Sequence, residues 1–407
     1  MVRPRVLVLS FSGFLVLLYP LVMWQKKRVF SLAPFMNGIA DWFWVAQPLF
    51  LAVFFFASAA VIRQKILQYM CIIAASFFLS FAAAELYFTP FKPAAKRAGF
   101  DSHNSVYVKS GQATHLMEKT SRPPDAVLGY SLLPNAKVAA RLTHNDKVIY
   151  DVLYTIDAGG RRITPDRGDK ADTAVLLFGC SFTLGEGLND QETFAWRLGE
   201  LLGERFQVFN YGVSGFGSHH MLALVESGRL DALARRYKQM YACFTTISDH
   251  PPRIFGHRPF HQGPRYILEN GAIKYVGMFS HTLDSLFAHS RVYEKVRPHY
   301  YYRPSEYDRA LDTHVAIITK SMHELAARCR ARFLAVIWPD FMRIEPMLHA
   351  HEVHTLPLTD AMPDYASMPG KYAIPVDGHP NALANTRVAE ALAEYILRNT
   401  PKRGERQ

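Results

Sequence analysis

Four short turns in this chain carry residue types that could do nucleophilic chemistry together. The apolar run Ala174-Val-Leu-Leu-Phe178 leads into Gly179-Cys180-Ser181-Phe182-Thr183-Leu184-Gly185. A second run, Gln207–Asn210, leads into Tyr211-Gly212-Val213-Ser214-Gly215, and a third, Gln239–Ile247, into Ser248-Asp249-His250. Asp377-Gly378-His379-Pro380-Asn381 stands just before a closing helical stretch. A serine hydroxyl is a poor nucleophile until a neighbouring imidazole takes its proton. The imidazole in turn needs a partner that fixes its tautomer and stabilises its cation. Ser181 as nucleophile, His379 as base and Asp377 as orienter would fill those roles, although a backbone carbonyl could also orient the histidine. The oxyanion that develops needs preorganised donors, and the backbone N–H groups of Ser181 and Gly215 are candidates. Alone, Ser181 is no more than a helix cap and Asp377-Gly378 no more than a turn former. Their order along the chain gives the set its weight.

Elements that bring these turns to one edge can be read from the pattern. The unbroken apolar run 174–178 predicts a strand covered on both faces. Helical spacing follows at Thr193–Leu202, a strand at 207–210, a helix at His220–Tyr237 and a strand at 239–247. A long helix is expected over Ser305–Arg330, capped by Ser305, then a strand over Phe333–Ile337 and a helix over Ala382–Arg398. Such alternation predicts an α/β fold with a parallel sheet and helices on both faces. Ligands bind beyond the carboxyl ends of strands in such sheets, which is where all four turns fall. Upstream, Lys137–His144 and Lys147–Ile156, split by Asn145-Asp146, predict a hairpin closed off by Gly159-Gly160. Residues 91–127, with Pro123-Pro124, read as a linker. The expected organisation is membrane helices over 1–90, linker and small β element over 91–170, and a catalytic domain over 171–400.

The constellation resembles the SGNH/GDSL hydrolase family over roughly Thr173–Leu397. The family's first block, usually GDSxxxG, reads Gly179-Cys180-Ser181 through Gly185, with Cys180 where Asp is commonest. Gly215 matches the second block's glycine. The last block, usually DxxH, is here the shorter Asp377-Gly378-His379, similar to that of bacterial polysaccharide O-acetyltransferases. The third block, usually GxND, aligns with Thr246-Ile247-Ser248-Asp249, which puts Ser248 where the family places an oxyanion-binding Asn. The resemblance implies a flavodoxin-like three-layer fold, a Ser181–His379–Asp377 triad, and Ser181, Gly215 and Ser248 as oxyanion donors. His250 or Arg253 could replace the third donor. Asp249, His250 and Arg253 form a cluster that is either a structural ion pair or a substrate-facing group. No cofactor and no metal is implied.

The rest of the 407 residues bounds the setting. Val6–Trp24, Trp42–Ile62 and Ile66–Ala84 are charge-free runs of 19, 21 and 19 residues. Each is long enough to cross a hydrocarbon core as a helix, with Trp24, Trp42, Trp44 and Tyr87 near the ends. Three crossings place the chain in the cytoplasmic membrane. With the N-terminus inside, Arg3, Arg5, Arg63 and Lys65 lie in the cytoplasm, and Lys26, Lys27, Arg28, Lys92, Lys96 and Arg97 outside. That balance leans against an external C-terminal domain, whereas an envelope-glycan substrate favours one, and the substrate argument is given more weight. The net charge of +11 suits anionic surfaces. Nucleic acid is not expected, because no dense basic run, zinc-finger spacing or aromatic RNA-binding motif is present. The four cysteines form no CxxC pair. HExxH, GxxxxGK[ST] and GxSxG are also missing, which excludes zinc-protease, P-loop and α/β-hydrolase readings.

The expected function is that of a membrane-anchored serine esterase or acyl-transfer enzyme. Its partners would be the lipid bilayer and an acylated small molecule or glycan, with O-acetyl groups as the implied esters. One alternative is a polysaccharide O-acetyltransferase subunit working with a multispanning partner. The other is a catalytically silent, membrane-tethered binding or assembly protein.

Overall fold

A computed structural model describes residues 33–88, 104–109, 112–115, 123–145, 147–256, 263–279, 290, 292–293, 295 and 304–401. The chain divides into two compact units, one of Met1–Arg97 with His281–Arg303, the other of Ala98–Ser280 with Pro304–Gln407. The first unit thus takes in His281–Arg303, from within the range expected to be one continuous catalytic domain.

In the first unit, α1 (Ala33–Val61) and α2 (Lys65–Phe88) are joined by a short turn and meet through the stacked rings of Phe55 and Phe78, 5.8 Å apart. Among the described residues one helix, Lys65–Tyr87, is long and apolar enough to cross a membrane, and Val45–Val61 is a shorter apolar helix. The run Val6–Trp24 lies outside the described residues. Glu85, near the end of α2, is buried and accepts hydrogen bonds from the Ser290 hydroxyl and, at 3.3 Å, from the Val292 amide.

The second unit is built on a five-stranded parallel sheet. Its strands are β7 (Thr173–Phe178), β8 (Phe206–Asn210), β9 (Gln239–Thr246), β12 (Ala331–Ile337) and β13 (Thr355–Pro357), in the order β13-β12-β9-β7-β8. This is the doubly wound order, in which the chain leaves the first strand on one side and returns on the other. Alternate residues of β7 feed two cores. Ala174, Leu176 and Phe178 join Leu222 and Val225 of α5 (Ser218–Glu226) and Val315, Ile318 and Leu325 of α8 (Pro304–Cys329). Val175 and Leu177 join Leu198 and Leu202 of α4 (Phe194–Leu202) and Val388, Leu392 and Ile396 of α10 (Ala382–Arg398). Burial on both faces explains why the strand is apolar throughout rather than alternating.

The remaining elements differ from the sequence expectation in identifiable ways. Between the units' boundary and the parallel sheet, β1 (Asn104–Lys109), β2 (Gln112–His115), β5 (Lys137–His144) and β6 (Lys147–Thr155) make an antiparallel sheet in the order β2-β1-β5-β6. The expected hairpin is β5–β6, but half of its sheet comes from the stretch read as linker. Two residue pairs, β3 (Pro124–Asp125) and β4 (Gly129–Tyr130), bridge nearby. The helix expected over 220–237 is broken into α5 and α6 (Asp231–Arg236), with Gly228 in the break. Pro304 opens α8, its ring presetting the backbone of the first turn, so Ser305 lies inside the helix and does not cap it. A hairpin of β10 (Pro264–Glu269) and β11 (Ala272–Met278) and the three-residue edge strand β13 carry too little pattern to be foreseen.

Candidate active site

The carboxyl end of β7, beside the point where strand order reverses, carries Ser181. Gly179 follows the strand with φ +156°, and a Cβ there would lie 2.1 Å from Thr183 Oγ1, so no other residue fits this approach. Ser181 is the first residue of the four-residue helix α3 (Ser181–Leu184) and is 7% exposed. Its carbonyl accepts the amides of Gly185 and Glu186 at 2.9 and 3.0 Å, which folds the chain back on the serine. Cys180 beside it is wholly buried.

A buried arginine holds this turn. Arg162 sits at the closure of the small β element and is 1% exposed. Its guanidinium donates to Asp190 Oδ1 at 3.0 Å, to Leu184 O at 3.0 Å, and to Gly185 O and Leu188 O at 2.5 Å each. One planar fork therefore satisfies three carbonyls and one carboxylate of the segment after Ser181. Strand β6 grips the same segment: the Leu153 amide donates to Asn189, the Thr155 amide to Asp190, and Tyr154 Oη accepts the Gly187 amide. Sequence reading missed Arg162, because nothing in an Arg-Arg pair after a turn marks one of the two as buried.

The histidine comes from the loop before α10. Asp377 Oδ2 lies 2.7 Å from His379 Nδ1, and the two side chains are 4% and 21% exposed. Backbone bonds from Ile374 N to His379 O (2.7 Å) and Gly378 N to Ile374 O (2.9 Å) tighten the loop. Asn381 closes it by capping α10, accepting the Ala384 amide at 3.1 Å. Val376, just before Asp377, holds φ +70°, a strained value for a β-branched residue. The His379 ring meets Phe182, the residue after Ser181, edge to face at 5.7 Å. That contact sets the His379 ring beside the residue that follows Ser181, nearly two hundred residues away in the chain.

The charges around His379 act in opposite directions. Burial alone would pull its pKa down and the Arg253 charge adds to that, but the hydrogen bond to Asp377 and the charges of Glu186 and Asp377 outweigh them, so it sits above 6.5. Glu186 Oε2 lies 3.9 Å from His379 Nε2 and accepts the Ser214 hydroxyl at 2.5 Å. Tyr150 on β6 is also part of this setting, for burial and then the charges of Asp377 and Glu186 raise its pKa and keep its hydroxyl protonated.

The three expected oxyanion groups differ in their surroundings. Gly215 has φ +87° in a turn held by Tyr130 Oη donating to Ser214 O at 2.8 Å and by the Phe216 amide on Val213 O. Among the described residues the amides of Ser181 and Gly215 have no hydrogen-bond partner, which leaves both able to meet an oxyanion. Ser248 is turned elsewhere. Its hydroxyl donates to Asp340 Oδ2 at 2.8 Å, and its carbonyl accepts Tyr307 Oη. Asp340 is an exposed residue, its carboxyl pKa raised by partial desolvation, and it takes the one hydroxyl proton that Ser248 could offer.

The cluster after Ser248 separates in three directions. Asp249 is exposed. His250, on the short helix α7 (His250–Arg253), points into the core beside Phe244 and His314, and burial holds it neutral, well below the usual imidazole range. Arg253 is buried and donates to Phe216 O at 2.7 Å, so it braces the turn that carries Gly215. His250, turned into the core, does not take the third donor's place. Among the described residues no group of three or more His, Cys, Asp or Glu could hold a metal ion.

No family model and no curated protein matches this chain. Solved structures similar to it include a lipolytic protein of the G-D-S-L family from Veillonella parvula, 11% identical with a TM-score of 0.33, covering 56% of this chain and 99% of that one. An aryl esterase from M. smegmatis is 14% identical with a TM-score of 0.32, covering 56% and 100%. A carbohydrate acetylesterase from Sinorhizobium meliloti is 12% identical with a TM-score of 0.30, covering 56% and 100%.

Proposed function

We propose that this chain is a membrane-anchored serine esterase or acyl-transfer enzyme of the SGNH/GDSL type. The observation that carries the reading is the 2.7 Å Asp377–His379 pair, set edge-on to Phe182 beside Ser181 at the carboxyl end of β7. Ser181 Oγ attacks the ester carbonyl carbon while its proton passes to His379 Nε2. Asp377 keeps Nδ1 protonated and stabilises the imidazolium. The Ser181 and Gly215 amides take the oxyanion. On collapse the C–O bond to the alcohol breaks, and the leaving oxygen takes the proton from Nε2. A water or an acceptor hydroxyl then gives its proton to His379 and attacks the acyl-serine; as the acyl C–Oγ bond breaks, Ser181 takes the proton back from Nε2, and the acid or new ester leaves the free enzyme.

The substrate class in this reading is O-acyl esters, O-acetyl groups of envelope glycans in particular. The apolar helix Lys65–Tyr87 supports anchoring, and the runs Val6–Trp24 and Trp42–Ile62 add two further crossings in the cytoplasmic membrane. An odd number of crossings with the N-terminus in the cytoplasm would set the catalytic unit outside, where such glycans are. Working as an O-acetyltransferase would require a multispanning partner to deliver the acyl group, since three helices are few for a donor channel.

A fluorophosphonate probe tests the reading directly. It should label the wild-type chain and not Ser181→Ala, and the same substitution should abolish p-nitrophenyl acetate turnover while the fold persists. Wild-type turnover in Ser181→Ala would overturn the proposal.

A further inference from the structure

The Asp377 carboxylate holds one edge of the His379 ring, and a second carboxylate faces the other. Glu186 Oε2 is 3.9 Å from Nε2, and the Glu186 side chain is 25% exposed. Its backbone is fixed, because its amide donates to Ser181 O at 3.0 Å on the turn that starts at the nucleophile. Its head group is fixed as well, because the buried Ser214 hydroxyl donates to the same Oε2.

We propose that Glu186 is a positioning residue for His379, a second carboxylate that stabilises the imidazolium from its Nε2 edge and that Ser214 couples to the oxyanion turn. The inference rests on His379 being the base of the proposed esterase. In the resting enzyme the Nε2 lone pair faces a negative charge, which is unfavourable. Once Nε2 holds the Ser181 proton, the same charge is favourable, so the interaction strengthens as the reaction proceeds. The groups facing the imidazole are Asp377 from its own loop, Glu186 from the segment after α3 and Arg253 from α7, whose charge opposes the carboxylates. Tyr150 on β6 lies beside both carboxylates as a neutral hydroxyl.

The experiment uses the full chain in detergent, with histidine-selective isotope labelling and Glu186→Gln, Glu186→Asp and Ser214→Ala variants. His379 is identified by the resonance lost in His379→Ala, and its titration is followed by NMR beside the pH profile of kcat/KM. Glu186→Gln should move both the titration and the acid limb to lower pH. At the alkaline plateau kcat/KM should fall about fivefold to tenfold, which is what a partly hydrated charge at this range contributes. That ratio should narrow as the pH drops. Glu186→Asp should restore part of the shift, and Ser214→Ala should show a smaller shift of the same sign. An unmoved His379 titration, or a loss of equal size at every pH, overturns the proposal. If Glu186→Gln fails to fold by circular dichroism, the other two variants decide by the same criteria. The NMR titration needs no turnover, so a failed esterase reading, seen as wild-type activity in Ser181→Ala, is distinguishable from a failed role for Glu186.

Discussion

His379 Nδ1 lies 2.7 Å from Asp377 Oδ2, although only Gly378 separates the two residues in the chain. One tight loop therefore holds both the proposed base and its orienter, and its own backbone bonds hold the histidine even without the carboxylate. Asp377→Asn should for that reason lose less activity than His379→Ala. We expect about a hundredfold loss in kcat/KM for the first and about ten-thousandfold for the second, read with p-nitrophenyl acetate. Equal losses would mean that the aspartate does more than orient.

The pH profile follows from the same charges. The active form holds His379 neutral, and its folded pKa is raised above 6.5. The acid limb of kcat/KM should therefore have its midpoint above 6.5. Stability runs the other way. A raised folded pKa contributes stability that is fully present below the unfolded value and is lost as pH rises through the folded one. Urea midpoints should fall slightly over the same interval in which activity rises, and His379→Ala should flatten that slope. A midpoint below 6.5 would contradict the assigned surroundings.

Val376 holds φ +70° immediately before Asp377 and is 48% exposed. Its side chain gains little from burial there, while its branched Cβ makes the left-handed conformation costly. Asparagine tolerates that conformation without glycine's loss of backbone entropy. Val376→Asn should stabilise the protein by about 1 kcal/mol in urea unfolding. A destabilised variant would show that the valine makes contacts worth more than the strain.

Arg162 tests how the nucleophile turn is held. Removing its guanidinium leaves the carbonyls of Leu184 and Leu188 without that donor, the Asp190 carboxylate with the Thr155 amide and the Gly185 carbonyl with the Leu188 amide. Arg162→Met should cost about 3–5 kcal/mol in urea unfolding of the catalytic unit. Arg162→Lys should recover only part, since an ammonium cannot span that fork. A loss under 1 kcal/mol in Arg162→Met would show that the turn is held mainly by β6.

The residues that could be read from sequence and those that could not differ in kind. Ser181, Gly215, Asp377 and His379 announce themselves because each follows an apolar run or precedes a helix, and strand ends in a parallel sheet share one edge. Arg162, Glu186 and Ser214 carry no such mark. What they do is fixed by side-chain direction, which neither periodicity nor spacing encodes. Ser248 shows the opposite failure: its position in the order was legible, but Asp340, far along the chain, decides where its hydroxyl points. The linker reading of 91–127 failed for a related reason. Strands β1 and β2 are short and mostly polar, and they become strands by pairing with β5 rather than by their own pattern.

Topology is the last point open to direct measurement. If the three charge-free runs Val6–Trp24, Trp42–Ile62 and Ile66–Ala84 all cross, the two termini lie on opposite sides. The flanking charges, four on one side and six on the other, lean towards a cytoplasmic catalytic unit. An envelope-glycan substrate requires the reverse. Alkaline phosphatase folds only where its disulfides form, so a fusion after Arg398 should be active if the catalytic unit lies outside. Green fluorescent protein at the same site, exported unfolded, should then be dark. The opposite pair of results would place the catalytic unit in the cytoplasm and remove envelope glycans as substrates. The chemistry proposed for Ser181, His379 and Asp377 would be untouched, because nothing in it depends on the side of a membrane.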